Sequence, residues 1–114
     1  MSSRILLAGR DEALQQARQR MLQARGMDVA TALDSEEFTD HLFAERYDAV
    51  VLCHSLRDSE RERFSTLTKL YSPGTLVLLL ADRSDQHFKF GDQTVLGTNP
   101  AALVNALATV GRAA

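Results

Sequence analysis

The sequence has a single cysteine among its 114 residues and no long apolar run. One cysteine cannot build the internal disulfide framework that small secreted domains use, and it suits a reducing cytoplasm. The apolar stretch near the N-terminus ends before Arg10 and is too short for a signal peptide, and no later stretch approaches the roughly 20 apolar residues that cross a membrane. We therefore expect a cytoplasmic protein without a membrane segment.

An excess of basic charge is also missing. The chain has 13 Lys and Arg against 15 Asp and Glu, a formal net charge of −2. Without a basic field that attracts phosphates, general nucleic-acid binding is disfavoured. The apolar content of 45%, with 25% charged residues, is that of an ordinary globular protein. The length predicts one domain over residues 1–114.

Short apolar runs alternate with segments of helical periodicity. This alternation predicts an α/β fold with right-handed crossovers and a doubly wound parallel sheet. The predicted strands are 4–8, 28–32, 48–53, 75–81 and 93–97. In such a sheet, ligands bind beyond the carboxyl ends of the strands. Functional residues are therefore expected directly after the strands, at 9–11, 53–55, 80–82 and 98–99.

Helical spacing predicts which side chains of the first three helices face the core. They are Leu14, Ala17 and Met21, with Leu22 as a further candidate, in the first, Phe38, Leu42 and Phe43 in the second, and Phe64, Leu67 and Leu70 or Tyr71 in the third. Asp34 is expected to cap the second helix, with Glu37 completing the motif. Ser59 marks the start of the third helix, and Asn99 followed by Pro100 starts the last one.

The order and spacing of these elements resemble the receiver domain of bacterial two-component response regulators over essentially the whole chain. The resemblance rests on "ILLAGRDEALQQARQRMLQARGMDVATALDSEEFTDHLFAERYDAVVL", on "LVLLLA" and on the Asn-Pro pair before the last helix. It implies a flavodoxin-like, five-stranded parallel sheet in the order 2-1-3-4-5. The segment 82–92 is close to the minimum of about a dozen residues for a parallel crossover, which predicts a shortened fourth helix.

In the resembled family, two acids after strand one and an aspartate after strand three hold Mg²⁺, and that aspartate accepts the phosphoryl group. A hydroxyl after strand four and a lysine near strand five contact the phosphoryl group. The resemblance places these functions at positions that carry other residues here. They are Gly9 and Arg10 for the acid pair, Cys53 for the acceptor, Leu80 or Ala81 for the hydroxyl, and Asn99 for the lysine.

These residue types do not suit magnesium. Mg²⁺ prefers oxygen ligands in octahedral geometry, whereas Gly9 has no side chain, Arg10 repels a cation, and the thiol of Cys53 is a soft ligand. Without the metal and the lysine, little offsets the charge of a transferring phosphoryl group. We therefore expect a degenerate pseudo-receiver with no catalytic residue, no metal and no cofactor. It is expected to act by phosphorylation-independent contact with signalling proteins or with a second copy of itself.

Two alternatives stay open. One is a sensor that uses Cys53, beside His54, for redox chemistry, or the Gly9–Arg10 loop for a small anion. Against its redox form, adjacent residues at a strand end point to opposite sides of the sheet, so Cys53 can equally be an apolar filler. The other alternative is a phosphotransfer receiver whose acid is displaced to Asp11, Asp58 or Asp82.

Phe88 and Phe90 are the candidates for a partner-binding patch. They lie in the short segment 82–92, and in a helix their rings would point about 200° apart, so at least one would be hard to bury. Exposed aromatic side chains are common anchors of interfaces. We expect this patch, with the outer face of the last helix, to bind the partner. The alternative is that both rings fill the core.

Overall fold

Five parallel strands and four helices make up the described part of the computed structural model, which covers residues 3–83, 88 and 90–108. The strands are β1 (Arg4–Ala8), β2 (Asp28–Ala32), β3 (Ala49–Leu52), β4 (Leu76–Ala81) and β5 (Gln93–Leu96). The helices are α1 (Glu12–Gln23), α2 (Ser35–Ala44), α3 (Asp58–Tyr71) and α4 (Pro100–Leu107). The strand order is β2-β1-β3-β4-β5. The prediction of a doubly wound, flavodoxin-like sheet is confirmed.

The three central strands are buried on both faces. Every residue from Ile5 to Ala8 and from Ala49 to Leu52 is inaccessible to solvent, and β4 is buried from Val77 onward. Strands covered on both sides are expected to be continuously apolar, as these are. The exposed positions of the sheet lie in the edge strands β2 and β5 and at Arg4, the first residue of β1.

Alternate side chains of the sheet enter two cores. On one face, residues such as Ile5, Leu7 and Cys53 pack with Leu22 of α1 and Leu103 of α4. On the other, Leu6, Leu52 and Val77 pack with Phe38 of α2 and Phe64 of α3, whose rings are stacked with centroids 4.3 Å apart. The two faces follow directly from the period-2 alternation of strand side chains.

The predicted caps of the second and last helices are present. Asp34 accepts a hydrogen bond from Glu37 N at 2.8 Å, and Glu37 in turn accepts one from Leu33 N at 2.9 Å. Asn99 accepts from Ala102 N at 3.3 Å at the start of α4. The start of α3 was predicted at Ser59 but lies one residue earlier, at Asp58.

Several side chains expected in the core are on the surface instead. Leu14 is 37% exposed and Ala17 is exposed, because α1 is rotated so that Gln15, Arg18 and Leu22 face the sheet. In α2 and α3, Phe43, Leu70 and Tyr71 are likewise exposed. These three residues lie in the last turns of their helices, where Phe43 and Tyr71 pack edge to face outside the core, with centroids 4.8 Å apart.

The crossover between β4 and β5 is only partly described. Of the helix predicted over 82–92, residues 84–87 and 89 lie outside the described residues, and the remaining positions are not helical. Gly91 has a φ of 84°, and a Cβ there would lie 2.8 Å from Leu79 Cδ1. Asp92 then accepts a hydrogen bond from Val77 N at 2.7 Å and pairs with Lys69 at 2.5 Å. The end of the crossover is thus fixed to the edge of β4.

Among the described residues, no helix has the length and apolarity needed to cross a membrane.

The stacked phenylalanine pair generates a stability prediction. Phe64→Ala should lower the free energy of unfolding by about 3–5 kcal/mol, because it leaves a cavity beneath Phe38 in a fully buried site. Phe43→Ala, a matched change at a ring that is 56% exposed, should cost less than about 1 kcal/mol. Urea unfolding followed by circular dichroism measures both. Equal losses would mean that α3 does not pack on the sheet as described.

Candidate functional site

The carboxyl ends of β1 and β3 meet at Gly9 and Cys53. Gly9 N donates to Ala32 O at 3.0 Å, and Cys53 N donates to Ala8 O at 2.9 Å, so both residues continue the sheet hydrogen bonding by one step. A Cβ on Gly9 would lie 2.9 Å from Cys53 Cβ and 3.0 Å from Ser55 Oγ. This spacing leaves no room for a side chain at position 9.

The side chain of Gln15 fills the space between these strand ends. It extends from the first turn of α1 and is only 2% exposed. Its Nε2 donates to Leu7 O at 2.8 Å, and its Oε1 accepts from Cys53 Sγ at 3.2 Å. The carboxamide therefore satisfies buried polar groups of two strands at once, and the edge of the sheet is closed by the chain's own side chain.

Cys53 is a protonated, buried thiol. It has no solvent exposure and belongs to the core cluster that also contains Leu80. Burial raises the pKa of Cys53 to about 11, and the positive charge of Arg18 offsets only part of this rise. Because the thiolate is the nucleophilic form, Cys53 has little reactivity at neutral pH in this environment.

An ion pair closes the rim of the site. Arg10 donates from Nε to Glu60 Oε1 at 2.9 Å and from Nη2 to Glu60 Oε2 at 2.5 Å, a bidentate geometry. The hydrogen bonds from Arg10 hold the pKa of Glu60 below its usual range. Arg10 N also donates to Ser55 Oγ at 2.9 Å. These contacts join the loop after β1 to the start of α3.

The acids considered for a displaced site have other contacts. Asp11 caps α1 by accepting from Leu14 N at 3.1 Å. Asp58 pairs with Arg61, whose guanidinium lies 4.9 Å from the centre of the Phe88 ring. Asp82 is exposed just after β4 and also has an interaction partner. Within the described ranges, no group of three His, Cys, Asp or Glu could hold a metal ion.

The other predicted positions separate into core and surface. Leu80 is fully buried in the cluster with Cys53, and Ala81, which accepts from Gly97 N at 2.7 Å, is buried at the end of β4. Asn99 is exposed at the cap of α4. The structure thus brings Gly9, Cys53 and Leu80 together and leaves Asn99 outside.

His54 lies apart from the thiol chemistry. A Cβ on Gly97 would lie 3.3 Å from His54 Nδ1, so the imidazole faces the end of β5. Its Nδ1 is buried and has no hydrogen-bond partner among the described residues. Cys53, in contrast, points into the core and bonds to Gln15.

Sequence reasoning indicated Ser55, within the range 53–55, but missed other residues of this edge, namely Gln15, Arg18, Glu60 and Gly97. A usable signal was present for the first two. Gln15, Arg18 and Leu22 follow helical spacing as well as Leu14, Ala17 and Met21 do. Helical spacing nevertheless favours the apolar set, because polar side chains are rarely fully buried without partners.

Phe88 and Phe90 are both half-buried. Their ring centroids are 5.7 Å apart, and both pack against the core cluster on the α2–α3 face of the sheet. Each ring thus combines a core contact with a partly accessible surface.

Solved structures with the same fold are receiver domains. The chemotaxis protein CheY4 of Vibrio cholerae aligns with a TM-score of 0.84 at 19% identity, over 96% of this chain and 99% of that chain. The BeF3-activated receiver domain of DrrB gives a TM-score of 0.80 at 26% identity, over 95% of this chain and 96% of that chain. The response regulator TrrA, in complex with the histidine kinase ThkA, gives 0.78 at 19% identity, over 94% of this chain and 97% of that chain.

No family model and no curated protein matches the sequence. The structural neighbours are response-regulator receiver domains, and their similarity to this chain establishes its receiver fold.

The raised pKa of Cys53 predicts a pH dependence of stability. Below about pH 9 the thiol is protonated in both states, and its contribution is complete. Between about pH 9 and 11 the unfolded thiol ionises while the folded one does not, so stability falls by about 1.4 kcal/mol per unit of pKa difference. Urea titrations of the protein and of Cys53→Ala across this range should show a steeper decline for the unmodified protein.

The same buried thiol should react slowly with an aromatic disulfide reagent in buffer and rapidly in urea. Rapid reaction in the folded state, or parallel pH profiles for the two proteins, would contradict the described environment of Cys53.

Proposed function

We propose that residues 1–114 form a receiver-like signalling module that acts by protein–protein contact, without phosphorylation and without catalytic activity. The observation that carries the proposal is the closed edge of the sheet, where the Gln15 carboxamide lies hydrogen-bonded between the backbone of β1 and the thiol of Cys53. A phosphoryl group and its metal would need this space.

The chemistry of the surrounding positions supports the same proposal. Gly9 and Arg10 stand where the acid pair of the resembled family would be, Cys53 at the acceptor position, Leu80 or Ala81 at the hydroxyl position, and Asn99 at the lysine position. None supplies the carboxylate that Mg²⁺ prefers. Such a module needs no cofactor and no metal, so its degenerate site is best described as that of a pseudo-receiver.

The Arg10–Glu60 ion pair is a second interaction that holds the edge closed. It is bidentate and links the loop after β1 to α3. In a receiver that responds to phosphorylation, the strand ends must reorganise around a new charge. Here the polar groups of Gln15 and Arg10 are already paired within the chain, which favours one permanent conformation and a constitutive binding surface.

The proposed module would bind a protein. The neighbour TrrA has been solved in complex with a histidine kinase, which supports a protein partner from a two-component pathway. A second copy of the chain is the other candidate. We place the contact at Phe88 and Phe90 together with the outer face of α4, because both rings keep an accessible part.

The sensor alternative has two forms, a redox sensor and an anion sensor, and a different observation argues against each. A redox sensor needs an accessible thiolate, whereas Cys53 is buried and its pKa is raised to about 11. An anion sensor at the Gly9–Arg10 loop would have to compete with Glu60 for the guanidinium. Both observations favour the interaction module over the sensor at this edge.

Phosphorylation is the direct test. Incubation with acetyl phosphate and Mg²⁺, followed by intact mass spectrometry at low and neutral pH, should show no phosphoryl adduct. The single variant Cys53→Asp should also stay unmodified, because the other metal ligands and the lysine are still missing. A phosphorylation-competent receiver treated in parallel provides the positive control. An adduct on the unmodified protein would overturn the pseudo-receiver proposal and revive the displaced acid.

The interaction surface can be tested by substitution. Phe90→Ser should weaken self-association, or capture of a histidine kinase, by about tenfold or more, since an aromatic anchor commonly contributes more than 1 kcal/mol. Phe43→Ser, an exposed ring in the last turn of α2, is the matched control and should have no effect on association. Sedimentation velocity and thermal unfolding of both variants separate binding from stability. Loss of association with Phe43→Ser alone would move the interface to the last turns of α2 and α3, where Phe43 packs on Tyr71.

A further inference from the structure

A groove of about 470 Å³ separates the outer face of α1 from the start of α4. Its volume lies within the usual range for small-molecule sites. Leu14, Ala17 and Met21 form one wall, and Pro100 and Leu103 form the other. In the wall of α1, Leu14 and Ala17 are exposed, and Met21 is half-buried against the core.

The polar part of the lining is formed by Arg18, His54, Gly97 and Thr98. Arg18 and His54 both lie beside Gly97, so these polar groups are close together. Small-molecule sites are commonly lined by apolar side chains together with a few polar groups that orient the ligand, and this groove has both.

Arg18 is the unusual member of this set. Its side chain lies in the groove although the residue is only 9% exposed, and no carboxylate of the described residues is within ion-pair distance of it. Its polar contacts with the described residues are a long hydrogen bond of 3.5 Å from Nη2 to Gly97 O and a position beside the neutral thiol of Cys53. The other buried arginine, Arg61, has Asp58 as its partner. A buried guanidinium without an anion is costly, and an anion from outside would relieve that cost.

His54 adds a second unsatisfied group in the same part of the groove. Its Nδ1 is buried and lacks a hydrogen-bond partner within the described ranges. Buried polar atoms are normally paired. The imidazole lines the groove beside Arg18, and the guanidinium can donate two parallel hydrogen bonds to the oxygens of one carboxylate.

We propose that this groove binds a small carboxylate with an apolar body, of the medium-chain fatty acid class. The carboxylate would lie at Arg18 and His54, and the chain would extend between Leu14 and Met21 of α1 and Leu103 of α4. The site borders the closed edge, because Arg18 also lies beside the thiol of Cys53, but its ligand does not require any part of the proposed signalling function to be correct.

Octanoate is the probe, with octan-1-ol as the uncharged analogue of the same length. With ¹³C-methyl methionine labelling, octanoate should shift the resonance of Met21 in a saturable way and leave that of Met27 unchanged. Octan-1-ol should bind about tenfold more weakly or worse, because a hydrogen bond to a charged group is worth about that much. The comparison uses the unmodified protein and so does not depend on the folding of any variant.

Variants separate the polar and apolar parts of the groove. Arg18→Met should weaken octanoate binding by about tenfold or more and bring its affinity close to that of octan-1-ol. Arg20→Gln removes the same charge from an exposed position of the same helix and should leave binding unchanged. Ala17→Phe fills the groove from an exposed position and should abolish binding of both probes. If Arg18→Met does not fold, Ala17→Phe and the two probes still decide.

Three results would overturn the proposal. Equal binding of octanoate and octan-1-ol would reduce the site to an apolar surface without a role for Arg18. Equal weakening by Arg20→Gln and Arg18→Met would indicate attraction by net charge alone. Absence of any Met21 shift with octanoate, combined with a Met21 shift on addition of a partner protein, would assign the groove to a protein contact.

Discussion

The hydrogen bonds of Gln15 set the orientation of α1, and much of the functional surface depends on that orientation. Its carboxamide reaches Leu7 O and the thiol of Cys53, so the face of α1 that meets the sheet runs through Gln15, Arg18 and Leu22. With this face against the sheet, Leu14 and Ala17 lie to one side of it and are exposed. One polar contact thus closes the edge of the sheet, buries Arg18 and exposes the apolar wall of the groove.

Three arginine side chains lie near the carboxyl ends of the strands, and each has different interaction partners. Arg10 has a bidentate partner in Glu60 at the rim, where solvent screens part of the attraction. Arg61 is buried but combines Asp58 with the face of the Phe88 ring. Arg18 is buried with carbonyl and thiol neighbours, which carry no full negative charge. The charges of Arg10 and Arg61 are therefore neutralised within the chain, whereas the charge of Arg18 can be neutralised by an anion from outside.

The comparison with receiver domains shows a similar fold, but it does not extend to the residues at the carboxyl ends of the strands. At about one fifth sequence identity the sheet order and the lengths of the elements still superimpose closely on CheY4. That likeness depends on apolar strands and amphipathic helices, which many sequences satisfy. The residues at the strand ends are under no such requirement. Function must therefore be argued from Gly9, Gln15 and Cys53 themselves.

The sequence alone was sufficient for the strands of a parallel sheet, because the central strands are buried on both faces and so read as continuous apolar runs. The order of the strands was implied by the resemblance to receiver domains. The caps at Asp34 and Asn99 were also predictable, since a cap depends on residues within one turn of each other. The burial of Gln15 and Arg18, and the exposure of Leu14, Phe43 and Tyr71, were not. Helical spacing leaves the rotation of a helix open when polar and apolar residues alternate around it. Only contacts distant in sequence, such as those of Gln15 with Cys53 and Arg10 with Glu60, select the face that packs.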